Sequence, residues 1–128
     1  MGLSMNWTEI SLFKGIDLND SFVLGWSLEP GRLVFKLEAS IWPESDYYIA
    51  PKPNEYTCYR KATLEFVGII EVHGLLPIES VCFAQDPDGS IDYGNIDVLV
   101  KLESTYQVFG DFGEVKIIGG ELRFAVST

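Results

Sequence analysis

Apolar residues alternate with polar ones along much of this chain. From Phe22 they fall at Phe22, Leu24, Trp26 and Leu28, then resume at Leu33, Phe35, Leu37, Ala39 and Ile41. Ser27, Glu29, Arg32, Lys36 and Glu38 face the other way. A period of two is the mark of a strand with one buried face. Between the two runs stands "EPGR", a Pro-Gly turn signal. Two alternating runs around a tight turn predict a β-hairpin. A second run, "CYRKATLEFVGIIEVHG", places Ala62, Leu64, Phe66, Ile70 and Val72 on one face. Thr63, Glu65, Glu71 and His73 take the other, while Val67 and Ile69 make both faces apolar midway. That segment reads as a central strand covered on both sides, or as one bulged at Gly68. In "NIDVLVKLES" the same alternation groups Ile96, Val98, Val100 and Leu102. The last segment, "YQVFGDFGEVKIIGGELRFAV", reads as three short strands broken at Gly110/Gly113 and at a Gly119-Gly120 turn, with Leu122, Phe124 and Val126 alternating afterwards.

Helical spacing is scarce. In "SMNWTEISLF", Trp7, Ile10 and Phe13 recur at helical intervals, with Ser4 or Asn6 as the cap. A short N-terminal helix is therefore expected within a cap segment, residues 1–20. Residues 40–57, "SIWPESDYYIAPKPNEYT" from Ser40, hold three prolines and break the alternation. A connection that long is often functional. The fold class expected is mainly β. It is a single domain over residues 1–128, an antiparallel sandwich or strongly curved sheet of about seven to nine strands.

The chain has 128 residues, enough for one core of ordinary size. Nineteen acids against nine bases give a formal net charge of -10. Such a surface repels phosphate backbones, which disfavours nucleic acid, and it attracts a cationic partner. Between Lys61 and Lys101 there is no Lys or Arg, but there are Glu65, Glu71, Glu79, Asp86, Asp88, Asp92 and Asp97. Solvated strand faces and loops are one reading of that window; an acidic docking patch is the other. No apolar run has the length of a membrane span. The start "MGLSMNWTEISLF" shows neither a basic leader nor a continuous apolar stretch, and "MGLS" resembles a cloning remnant ahead of Met5. Cys58 and Cys82 are accordingly expected as reduced thiols in a cytoplasmic protein.

No combination of residues carries a recognisable reaction. The stretch "DPDGSID" offers the oxygen ligands of Asp86, Asp88 and Asp92. Its glycine, Gly89, stands fourth from Asp86 rather than sixth, so it is no EF-hand. Asp-Pro-Asp-Gly is also ordinary turn chemistry, and no metal or other cofactor is expected. The lone histidine, His73, and two scattered cysteines lack zinc spacing. His73 reads as a strand-end residue rather than the base of a nucleophile. "DFG" at Asp111–Gly113 has none of the companion motifs of a kinase. The aromatic loop is the stronger candidate. Trp42, Tyr47, Tyr48, Tyr56 and Tyr59 gather within eighteen residues, and such rings suit protein interfaces and sugars. They also suit a loop that folds back and closes the core.

The layout around "NDSFVLGWSLEPGRLVFKLE" resembles the opening of small bacterial immunity proteins of polymorphic toxin systems. The likeness covers about the first third of the chain and is a pattern of common residues. It implies a small cytoplasmic β protein that neutralises a toxin by binding it, and it assigns no functional residue. The leading expectation is thus a non-catalytic protein-binding module, immunity- or inhibitor-like, with a basic partner. Its binding residues would be Trp42, Tyr47, Tyr48, Tyr56, Tyr59, Asp86, Asp88 and Asp92. The alternative is a small-ligand or carbohydrate-binding module, or a small enzyme. Its pocket would be lined by Trp26, Trp42, Tyr47, Tyr48 and Tyr59, with Glu38 or Asp46 for polarity. A homodimer through an exposed sheet edge is compatible with either.

Overall fold

Every inward position expected in the second hairpin arm, Leu33, Phe35, Leu37, Ala39 and Ile41, is buried, while Lys36 is exposed. The computed structural model describes residues 4–51, 53 and 58–127; Tyr56 lies outside them. Among these residues the strands are β1 (Met5–Asn6), β2 (Ile16–Glu29), β3 (Arg32–Ile41), β4 (Cys58–His73), β5 (Ala84–Gln85), β6 (Ile91–Asp92), β7 (Ile96–Lys101), β8 (Thr105–Gly110) and β9 (Gly113–Val126). Seven of them form one antiparallel sheet in the order β1-β7-β8-β9-β4-β3-β2, and β5 and β6 pair separately. The mainly β, curved, sandwich-like expectation holds, and Pro30-Gly31 makes the β2–β3 turn.

The sheet is curled until its far members meet. Val23 in β2 donates its N–H to Gly94 O at 2.8 Å and accepts from Tyr93 N at 2.8 Å. Phe22 bridges to Asn95, and Asn95 Nδ2 donates to Ser21 O at 2.7 Å. Asn19 Nδ2 donates to Ile96 O at 2.9 Å. These bonds satisfy backbone groups that an open edge would leave bare. The enclosed core is built on rings. Phe35 lies 4.8 Å from Phe112 and 6.5 Å from Phe66, and Phe66 lies 5.1 Å from Tyr106. Phe112 sits in the β8–β9 turn yet is fully buried, so a turn residue fills the interior of the curled sheet.

Long strands bend through bulges, and each bulge reverses which parity points inward. This corrects several expectations. In β2 the register slips between Asp17 and Phe22 and again between Val23 and Gly25. The buried residues are therefore Ile16, Leu18, Ser21 and Val23; Leu28 is exposed and Phe22 and Leu24 are half-buried. In β7 a slip between Ile96 and Val98 makes Leu99, rather than Val98 or Val100, the core residue beside Ile96. Strand β4 is bulged near Gly68, the second of its two sequence readings. The slip lies between Ile69 and Glu71 and expels Ile70, which is 76% exposed.

Gly119-Gly120 is not a hairpin turn. Strand β9 continues through it without a break, so the final segment holds two strands rather than three. The pair lies across from the β4 bulge, with φ of 75° and 94°. A Cβ on Gly120 would stand 2.7 Å from Ile69 Cγ2 and 2.9 Å from Val67 O. The N-terminal helix is also absent. Trp7–Glu9 and Ser11–Phe13 are 3-10 turns separated by extended Ile10 (φ −87°, ψ 118°). Glu9 Oε1 accepts from the Asn6 N–H at 3.2 Å and caps the first turn, but the extended backbone of Ile10 ends it after three residues.

Gly31 and Gly120 share a left-handed φ but not their surroundings, since a Cβ on Gly31 meets nothing within 4 Å. Gly31→Ala should cost about 1 kcal/mol of stability, the left-handed penalty alone. Gly120→Ala should cost about 2–3 kcal/mol, because overlap with Val67 O is added. Urea denaturation of both variants checks this; equal losses would remove the corner role of Gly120.

Candidate functional site

The N-terminal turns and the start of the aromatic loop form the two walls of a cleft. Phe13 anchors one wall. It is buried with its ring 5.4 Å from Phe124, edge on. The other wall begins at Trp42, directly after β3. Trp42 donates its N–H to Gly15 O at 2.7 Å, Ser45 N–H reaches Trp42 O at 2.9 Å, and Tyr48 N–H reaches Ser45 O at 3.2 Å. Gly15 has φ 72°, and a Cβ there would collide with the Ser45 backbone. The walls are clasped together at a position only glycine can occupy.

Between them opens a cleft of about 530 Å³, with Trp7, Glu9, Ile10, Lys14, Trp42 and Glu44 in its lining. An adjoining groove of about 240 Å³ shares Lys14 and Glu44 and adds Asp46 and Tyr47. Trp42 is 49% and Tyr47 42% exposed, although both are large rings. Among the described lining residues the acids Glu9, Glu44 and Asp46 outnumber the one cation, Lys14. The site is an apolar trough with a net negative rim.

The other aromatic candidates lie apart from this cleft. Tyr48 is half-buried against the core. Tyr59, in β4, packs its ring 5.8 Å from Phe22 and donates its hydroxyl to Asp20 Oδ2 at 3.1 Å. Burial, and then the charge of Asp20, push its phenol up to about 12. Trp26 joins a third group, 5.2 Å from Tyr93 and 6.0 Å from Phe112, with Nε1 donating to Leu76 O at 3.0 Å. Glu38 pairs with Lys61 at 3.5 Å. The single five-ring pocket expected for a ligand is therefore not formed; Trp42 and Tyr47 are its surviving members, together with Asp46.

Asp86, Asp88 and Asp92 occupy the β5–β6 hairpin and the turn after it, where they hold local backbone. Asp88 Oδ1 accepts from Ser90 N at 2.9 Å and from Ser90 Oγ at 2.6 Å. Asp92 Oδ1 accepts from Gly94 N at 2.9 Å. The two bonds from Ser90, hydroxyl first, hold the Asp88 carboxyl below its usual range. Among the described residues no three His, Cys, Asp or Glu side chains converge as a metal site. The base-free window is dispersed as well, since Glu65 pairs with Arg32 at 2.9 Å and Glu71 meets His73 Nε2 at 2.9 Å. Cys58 is buried and Cys82 exposed, and both are free thiols.

Sequence reasoning missed Trp7, Glu9, Lys14 and Glu44. Trp7 looked like one residue of a helix face, and the spacing to Trp42 gives no local signal that they share a cleft. Compared with known proteins, the chain matches no family model, no curated protein and no solved structure. Among the described residues no helix is long and apolar enough to cross a membrane.

Tyr59 is favoured in its neutral form by the fold. Its contribution to stability is intact below the unfolded phenol value of roughly 10 and is lost as pH climbs toward about 12. In an alkaline absorbance titration one late-titrating phenol should vanish in Tyr59→Phe and move part of the way down in Asp20→Asn. An unchanged profile in Tyr59→Phe would refute the assignment.

Proposed function

We propose that this chain is a non-catalytic protein-binding module, immunity- or inhibitor-like, whose partner is basic. One observation carries the reading: Trp42 and Tyr47 stand half exposed along clefts rimmed by Glu9, Glu44 and Asp46, on a chain of net charge -10. Exposed tryptophan and tyrosine anchors ringed by charge are the usual make-up of an interface hot spot. The negative field speeds encounter with a cationic surface, and the rings supply the area that holds it. The weak likeness to immunity proteins points the same way.

A carbohydrate-binding module is the second reading, favoured by the concavity itself. A trough of about 530 Å³ with indoles in its lining and carboxylates at its rim suits a sugar ring. Ionic strength separates the two. Affinity capture from the native host, followed by calorimetry on the purified partner, should give an affinity that weakens about tenfold from ~50 to ~300 mM salt. Binding indifferent to salt overturns the electrostatic reading. Heat from neutral oligosaccharides, with no protein partner recovered, replaces it with the second.

A further inference from the structure

We infer that the Trp7–Trp42 cleft seats an arginine side chain of that partner, with its guanidinium against the Trp42 indole and its charge met by Glu44. The inference rests on the protein-binding reading and names the chemistry of the anchor. The cleft combines two features that separately favour different guests. Its walls, Trp7, Ile10, Phe13 and Trp42, are apolar, and its rim carries Glu9 and Glu44. A purely apolar guest would dehydrate Glu44 without compensation and leave Glu9 only its bond from the Asn6 N–H. An anion would be repelled by them. A guanidinium satisfies both, because it is planar, stacks on an aromatic face, is weakly hydrated and hydrogen-bonds a carboxylate in a fork. Lysine fits less well, since its compact ammonium keeps its water and has no face to stack.

The volume agrees with a side chain that arrives on a short run of backbone: about 530 Å³ for the main cleft, with a further 240 Å³ in the groove beyond Glu44. The Gly15–Ser45 clasp holds the trough ready, so little ordering cost is incurred on binding. Lys14 lines both spaces and opposes the guest, which makes it a residue that weakens this interaction.

The three tryptophans supply their own control. The Trp26 indole N–H is engaged by Leu76 O in a different part of the molecule, whereas Trp7 and Trp42 line the cleft. The probe is a capped synthetic peptide of alternating arginine and leucine, titrated into the ¹⁵N-labelled full chain while the three indole N–H signals are followed. The Trp42 and Trp7 signals should move and the Trp26 signal should stay. Replacing arginine by citrulline, its neutral isostere, should abolish the shifts. Trp42→Ala should raise Kd about tenfold, Glu44→Gln about fivefold, and Lys14→Gln should lower it about twofold. Each variant's backbone spectrum reports that it is folded. Equal binding of the citrulline peptide, shifts centred on Trp26, or tighter binding by Glu44→Gln would overturn the inference. A captured protein partner that leaves Trp7 and Trp42 unmoved sinks the arginine anchor but leaves the binding module standing. Peptide binding in the cleft with no protein partner recovered supports the anchor chemistry and counts against the module.

Discussion

Strands β4 and β9 pair along most of their length, and a flat ladder of that size would leave one apolar face in water. The fold depends on their bending together. On β4 the bend is the bulge that expels Ile70; facing it on β9 are two consecutive glycines with left-handed φ. Beyond the bend each strand belongs to a different wall. Residues 58–67 of β4 pair with β3, while Gly113–Ile118 of β9 pair with β8. Corners of this kind let one sheet act as both layers of a sandwich. The ring cluster of Phe35, Phe66, Tyr106 and Phe112 fills the space so enclosed.

The same economy explains where the cleft lies. Strand β8 begins opposite Ile118, so Glu121–Val126 of β9 have a strand on one side only. The N-terminal 3-10 turns cover part of that gap, and Phe13 is the plug that holds them through Phe124. The segment is held at one end by the pairing of β1 with β7 and at the other by Phe13, and the turns between stand off the sheet. The space left over is the trough between it and Trp42. Its walls are apolar because both derive from residues that cap a core, and its rim is acidic because these turns and loops carry most of the local charge as Glu9, Glu44 and Asp46.

Charge follows a different logic on the strands. Across the outer face of β3, β4 and β9 the acids are mostly answered: Arg32 by Glu65 and Glu29, Lys61 by Glu38, and Arg123 by Glu121. These pairs contribute little stability, but Glu38 opposite Lys61 and Glu65 opposite Arg123 keep like charges from facing one another across strands. The aspartates of the β5–β6 hairpin are turned onto their own turn. The excess negative charge is therefore spread over the described residues rather than gathered as one patch in the window between Lys61 and Lys101.

Local pattern determined the long strands β2, β3 and β4, the strand β7, the β2–β3 turn and the β class, because side chains alternate wherever a segment is straight; it did not mark the two-residue strands β1, β5 and β6. It also offered a β4 bulge at Gly68 as one of two readings, two residues from where the slip falls, and marked Trp42 and Tyr47 as ring-bearing loop residues. Tertiary structure decided the rest. Which parity faces inward in β2, β7 and the end of β4 turns on bulges, and a bulge exists only where a partner strand demands a bend. Gly119-Gly120 has the composition of a turn and became a corner because β4 bends opposite it. Phe112 sits in a turn, and only the closed interior shows that it is core. Trp7 and Trp42 are brought to one cleft by Phe13 and by Gly15 against Ser45, contacts between distant segments that no spacing along the chain can encode.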